Sequence, residues 1–250
     1  MDCIAIDLDI VWPRVTISVL DGTIGEMDKA TFIQKARELE PEYVPNPAVL
    51  QQLSGLTLVA IIGATGVGKS TLIAASGIHY VRSDMTRTLR DSEQDGVDIN
   101  QRSDYDKLWE ELDNGLFVQF LISHTGEFYG TRAESYPVSG VCTMPIVTSA
   151  FQAFEQQGFG KIIKIYVVPP SYDVWQQRIA SHGITDIDNR MVEARESFAN
   201  ALKADDYNFI INDDVNLAVQ DIHDIISGTY PADKAKQSER VATEIATCLV

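Results

Sequence analysis

Apolar positions along the chain repeat with two periods. Ile4, Ile6, Leu8 and Ile10 alternate with Ala5, Asp7 and Asp9, and Val15, Ile17 and Val19 alternate likewise, which predicts two short strands. Phe32, Ala36 and Leu39 then recur at helical spacing, predicting a helix from about Asp28. In "EPEYVPNPAVLQQLSG" the residues Pro41, Pro45 and Pro47 interrupt any regular element, which places a boundary near residue 54. Residues 1–54 therefore read as an N-terminal appendage of strands and one helix.

Beyond the boundary, strand-like runs alternate with helical ones. Leu56 to Ile62 is followed by a helix from Lys69, then by the run Ile78 to Val81. Later come Lys161 to Val168, a helix from Asp173, and Phe209 to Ile211. That alternation predicts an α/β fold with a parallel sheet covered on both faces. Residues 83–142 break the pattern: a short helix "YDKLWEEL" precedes two strand candidates, "GLFVQFLISH" and "EFYGTRAES", joined by a Thr-Gly turn. A small mixed subdomain inserted into the parallel core follows. Tyr172, Trp175 and Ile179 recur at helical spacing and read as core contacts, and residues 231–250 read as a surface helix.

Composition narrows the function classes. The 250 residues are 45% hydrophobic and 22% charged, which excludes a disordered chain. With 20 Lys and Arg against 36 Asp and Glu, the formal charge of −16 repels a nucleic-acid backbone, so no nucleic-acid polymer is expected as a partner. Cys3, Cys142 and Cys248 are scattered and odd in number, as in a reducing compartment, and no zinc-ligand spacing appears among the cysteines and histidines. The start lacks a secretory signal and no run is long enough for a membrane helix, so a cytoplasmic protein without a membrane partner is expected.

The densest chemistry lies in "LVAIIGATGVGKSTLIAAS". Gly63, Gly68, Lys69 and Ser70 fit G-x-x-x-x-G-K-[ST] directly after an apolar strand and before a helix, the context that a phosphate-binding loop requires. Gly63, Ala64, Thr65, Gly66, Val67 and Gly68 would cradle nucleotide phosphates with backbone N–H groups, helped by the N-terminus of the following helix. Lys69 would reach the β- and γ-phosphates, and Ser70, followed by Thr71, would ligate Mg2+. ATP is the expected donor.

Further motifs follow in order: "GATGVGKSTL", "SDMTRTLRDSEQDGVD", "FYGT", "PPSYDVWQQRI", "DNRMVEARES" and "YNFIINDDVNLAVQDI". Over about residues 56–228 the chain resembles the guanylate kinase family. The resemblance implies a three-layer phosphate-loop NTPase core over residues 55–230, with residues 83–142 as the nucleoside-monophosphate subdomain and a lid at 181–190. It puts Ser83, Arg87 and Arg90 at the acceptor phosphate, with Tyr129 and Thr131 beside them. Bidentate guanidinium forks suit a phosphate dianion. It makes Arg178 and Arg190 the lid arginines that join Lys69 in neutralising the transferring group, and brings Asn212 near the adenine. Asp213 and Asp214 read as helix caps.

The chain departs from the family at named positions. The guanine-reading glutamate is here Gln119, or Phe120 if one extra residue before Tyr129 shifts the match. A phosphate-side tyrosine is Ile99, although the preceding Asp98 is kept. Pro145 and Val147 stand where the family carries two aspartates, and His182 replaces a lid arginine. The leading expectation is transfer of the ATP γ-phosphate to GMP. Two rivals are a kinase for another monophosphate such as AMP or dGMP, and a nucleotide-binding interaction module that has lost transfer, with the appendage as a surface for a protein partner.

Overall fold

The computed structural model describes residues 26–90, 93–146, 151–181 and 187–249. The two alternating segments before residue 20 lie outside the described residues, as do Val147 and His182. The first elements are α1 (Lys29–Leu39), α2 (Pro47–Ser54), β1 (Leu56–Ile62), α3 (Lys69–Ser76), β2 (His79–Tyr80), β3 (Asp84–Met85) and β4 (Asn100–Gln101). They are followed by α4 (Tyr105–Asp113), β5 (Phe117–Ile122), β6 (Phe128–Arg132), β7 (Gly140–Pro145), α5 (Phe151–Glu155) and β8 (Lys161–Val168). The chain continues through α6 (Tyr172–Ser181), α7 (Ile187–Lys203), β9 (Tyr207–Ile211), α8 (Val215–Ser227) and α9 (Ala232–Cys248).

Five strands form a parallel sheet in the order β2-β7-β1-β8-β9. β1 is central, and its near-continuous burial follows from a run of Leu, Val, Ala and Ile in which Thr57 is the one polar residue. The core over this sheet takes Leu72 and Ile73 from α3, Trp175 and Ile179 from α6, Phe198 from α7, Ile222 from α8, and Ala242 and Ile245 from α9. This is the α/β architecture that the alternation predicts. The strand expected at Ile78 to Val81 is shorter, His79–Tyr80, because Val81 turns into the bulk of the core and bonds back to the carbonyl of Thr143. Among the described residues, no helix is long and apolar enough to cross a membrane.

The second sheet is mixed, in the order β4-β3-β6-β5, with β3 parallel to β4 and β6 antiparallel to both β3 and β5. Its two-residue strands β3 and β4 carry no periodic signal of their own. One face packs on α1 and α4: Phe32, Ile33 and Ala36 share a core with Leu108, Leu112, Phe117, Phe120 and Phe128. Gly130 lets β6 pass beneath this cluster, since a Cβ there would lie 2.8 Å from the rings of Phe117 and Phe128.

The proline-rich stretch corrects the sequence reading. Glu40–Glu42 form a 3-10 turn, and Pro47 opens α2 at the first helical position, where a missing N–H costs nothing. The side chain of Asn46 accepts from the amide of Val49 and caps that helix. The prolines thus delimit helices rather than exclude them.

Candidate active site

The loop between β1 and α3 turns on three glycines with left-handed φ: Gly63 (145°), Gly66 (81°) and Gly68 (93°). The backbone there is tightly enclosed, since a Cβ on Gly63 would lie 2.7 Å from the Val167 carbonyl and one on Gly68 would lie 2.3 Å from Nδ2 of Asn212. The Gly66 peptide packs against Ile179. Only glycine meets both the dihedral and the steric demand. Ser70 and Thr71 are exposed in the first turn of α3.

Lys69 folds back over the loop, its Nζ donating to the carbonyls of Gly63 (2.7 Å) and Ala64 (2.8 Å). Burial pulls its amine from the ordinary 10.5 down to about 8, and the positive charge of Arg190 adds to the fall. Arg190, on α7, therefore shares an electrostatic environment with the loop lysine, while its Nη1 bonds Glu193 one turn on at 2.7 Å. Arg178, near the end of α6, donates from Nη1 to the carbonyl of Asn212 at 2.9 Å.

Asn212 is 4% exposed at the end of β9. Its Nδ2 donates to the carbonyl of Val67 at 2.8 Å, and its own amide bonds the Val168 carbonyl. Asn212 thus braces the loop from beneath. Asp214 caps α8 through the amides of Asn216 and Leu217. A second brace escaped the sequence reading: Trp175 is a core residue, as its spacing predicts, and its indole N–H also donates to the carbonyl of Thr65 at 2.8 Å. The helical period signals only the ring's burial, whereas the loop partner lies 110 positions away in sequence.

The other predicted residues gather on the second sheet. A register shift between Phe117 and Gln119 leaves Val118 as an extra residue opposite the Thr131–Arg132 pair of β6. Strict alternation would put Gln119 on the Phe117 face. The bulge instead sets it opposite Thr131, on the face turned toward the main sheet, where Thr131 bonds the hydroxyl of Tyr136 and Tyr136 belongs to the main core. Phe120 points the other way, against Tyr43 and Phe128. Of these two residues, Gln119 is the one on the face of Tyr129 and Thr131. It is 7% exposed, and its buried Oε1 has no hydrogen-bond partner.

Tyr129, two residues from Thr131 on the same face, adds to the surroundings that favour the charged form of Arg87. The Arg87 fork closes on Glu93 in bidentate fashion, Nη1 to Oε2 at 2.7 Å and Nη2 to Oε1 at 2.6 Å, and this bond raises its already high basicity. Arg90 is exposed, and its backbone N–H also donates to Glu93. The carbonyl of Ser83 receives the amide of Asn100, which ties β3 to β4. Under the same sheet, Asp84 and Glu111 alternate with Arg102 and Arg132 in an ion network that Glu134 joins through Arg132, with Asp84 fully buried.

Comparison with known proteins bears on this arrangement. No protein-family model matches the chain. A guanylate kinase of Enterococcus faecalis is 29% identical over 192 residues, covering 69% of this chain and 89% of that protein. A guanylate kinase of Symbiobacterium thermophilum is 28% identical over 205 residues, covering 77% and 92%. The crystal structure of a guanylate kinase from Anaplasma phagocytophilum superposes with a TM-score of 0.50 at 18% identity, over 74% of this chain and 92% of that one, which shows a shared fold. The chain is thus similar in sequence to guanylate kinases and shares a fold with one.

Against its guanylate kinase relatives, two of the departures noted in the sequence have a physical form here. Ile99 is buried and accepts a backbone bond from Gly96, so it offers no hydroxyl. Pro145 ends β7 opposite Ile61 and supplies no carboxylate. Among the described residues, no group of three or more His, Cys, Asp and Glu side chains could hold a metal ion. Two cavities of about 270 and 280 Å³ flank α9, at Pro170 and Cys248 and at Tyr207 and Glu239, and neither contains a predicted site residue.

Proposed function

We propose that this chain transfers the γ-phosphoryl group of ATP to GMP, yielding ADP and GDP. The observation that carries the reading is Lys69 folded over the phosphate loop onto the carbonyls of Gly63 and Ala64, with the charge of Arg190 from a separate helix acting on the same amine. Holding a nucleotide requires the loop, whereas charge supplied from a second element is what phosphoryl transfer requires as charge spreads over the moving group. The names and coverage of the relatives support the same reading.

Donor ATP would lie with its phosphates on the Gly63–Ser70 backbone, with Asn212 and Trp175 holding the loop from outside. Mg2+ fits this donor set: the exposed hydroxyl of Ser70 is one hard oxygen ligand, and Mg2+ commonly takes its remaining ligands from phosphates and water. The ion would supply charge neutralisation at the β- and γ-oxygens. Acceptor phosphate would engage Arg87, Arg90 and Tyr129, with Ser83 at the base of the same arm. The amide of Gln119 can pair with the guanine edge, accepting from N1–H and donating to O6. Its unpaired buried oxygen is the kind of group that a bound base would satisfy. A cytoplasmic site of action is part of this reading.

The test is a panel. The full chain is incubated with ATP and Mg2+ and with each of GMP, dGMP, AMP, UMP and CMP, and diphosphate formation is followed. Preferential turnover of GMP supports the proposal. Turnover confined to AMP would replace the acceptor, and ATP binding without any turnover would leave an interaction module.

A further inference from the structure

The segment before β1 is bound to the acceptor-side sheet along its free edge. Among the described residues, β5 is the outer strand of that sheet, and one side of its backbone has no strand beside it. Side chains of the preceding segment take that side. The hydroxyl of Tyr43 donates to the carbonyl of Phe117 at 2.8 Å and accepts from the amide of the same residue at 3.0 Å. A carboxylate oxygen of Glu40 accepts from the amide of Ile122. The Asn46 side chain donates to the Asn114 carbonyl, and its amide donates to the Gly115 carbonyl.

The Tyr43 contact sits on the bulge. Phe117 is the last residue before the register shift that turns Gln119 toward the main sheet. Bulged backbone lacks its ladder partners, and Tyr43 supplies both a donor and an acceptor there. Its ring lies edge-on to Phe120 at 4.9 Å, on the far side of Gln119 along the strand.

A second contact reaches the phosphate end of the arm. Lys29 of α1 donates to Glu127 at 2.7 Å, and a Glu127 oxygen accepts from the hydroxyl of Thr86 at 2.7 Å. That hydroxyl in turn accepts from the amide of Phe128, whose carbonyl receives the amide of Thr86. Thr86 immediately precedes Arg87, and the charge of Arg87 also acts on Glu127. Lys29 and Thr86 therefore hold a carboxylate that fixes the backbone from which Arg87 projects.

We propose that residues 26–54 are a splint for the acceptor-binding sheet, in which Tyr43 and Lys29 are positioning residues that set acceptor affinity by fixing Gln119 and Arg87. The proposal rests on the reading of this sheet as the acceptor site. It gives the N-terminal segment a task within the chain itself.

The experiment uses the full chain with Tyr43→Phe, which keeps the ring and removes the hydroxyl, and with Lys29→Met and Lys29→Arg. KM for GMP is expected to rise about fivefold to tenfold in Tyr43→Phe, the range set by leaving a buried backbone group without its partner, and about threefold to fivefold in Lys29→Met, whose ion pair with Glu127 is partly exposed. KM for ATP and kcat should stay within about twofold, because the phosphate loop touches neither residue. Lys29→Arg should restore most of the loss. Amide hydrogen exchange checks the cause: protection should fall at residues 117–122 and 85–90 and hold at 58–68. An unchanged KM for GMP, or equal rises for both substrates, would overturn the proposal. A wild-type chain that turns over no monophosphate would instead sink the kinase reading, and unchanged exchange at 117–122 in Tyr43→Phe would then overturn the splint on its own.

Discussion

The side-chain amide of Asn212 donates to the carbonyl of Val67 at 2.8 Å, while a Cβ on the neighbouring Gly68 would lie 2.3 Å from the same nitrogen. The end of β9 and the turn of the phosphate loop are thereby locked, and each residue is needed because the other is there. Asn212→Asp would oppose a carboxylate to the Val67 carbonyl in a buried place. The variant should lose about 1–3 kcal/mol of stability, read by chemical denaturation, and ATP affinity should fall with it. Unchanged ATP binding in a folded variant would show that the brace is not needed.

The ATP affinity of the loop should depend on pH through Lys69. Its value near 8 means that the loop presents an ammonium below that pH and a neutral amine above it. Bound phosphates favour the ammonium and raise the value again, so binding takes up a proton between about pH 8 and 10.5. ATP affinity should fall as pH rises through that window, by up to about tenfold per unit. Folding responds with the opposite sign. The unfolded chain binds the extra proton there, so this group's contribution to stability grows from pH 8 to 10.5. Calorimetric titration of ATP at several pH values checks the slope, which Lys69→Met should abolish along with most of the affinity.

Asp84 is 0% exposed and accepts from Arg102 at 3.1 Å and Arg132 at 3.0 Å. Removing its charge leaves two guanidinium groups sharing Glu111, with only the more exposed Glu134 beside Arg132. Asp84→Asn should cost about 3–5 kcal/mol in denaturant unfolding, the range for breaking a buried ion pair from one side. A loss below about 1 kcal/mol would mean that water already screens the network.

At the base pocket, Gln119→Glu should raise kcat/KM for GMP. A carboxylate accepts from both N1–H and the 2-amino group of guanine, whereas the amide has a single acceptor. Steady-state kinetics with GMP and AMP give the answer, and AMP use should fall in the same variant. No change, or a loss with GMP, would mean that the base is read elsewhere on the sheet.

Which features were legible in the sequence follows from the distance between interacting residues. The Gly63–Ser70 loop, β8, the helix start near Asp28 and the cap at Asp214 are local arrangements, and local pattern suffices to find them. α2 is equally local, but Pro47 reads as a breaker until Asn46 is recognised as its cap. The bulge at Val118 defeats alternation by design, since its effect is to move Gln119 across the sheet. Arg102, Glu111 and Arg132 each look like solvated charge. Only the pairing of β3 with β6 and the packing of α4 bring them onto Asp84. Trp175 shows the same limit within one side chain, its ring predictable and its N–H partner not.

The central claim is phosphoryl transfer from ATP to GMP, and 31P NMR of the full chain with ATP, Mg2+ and GMP tests it most directly, beside a Lys69→Ala control. The account predicts matched growth of ADP and GDP resonances in the wild type, with the rate in the control lower by about a hundredfold or more. ATP that stays intact beside unchanged GMP, or GDP formed at the same rate by the control, would contradict it.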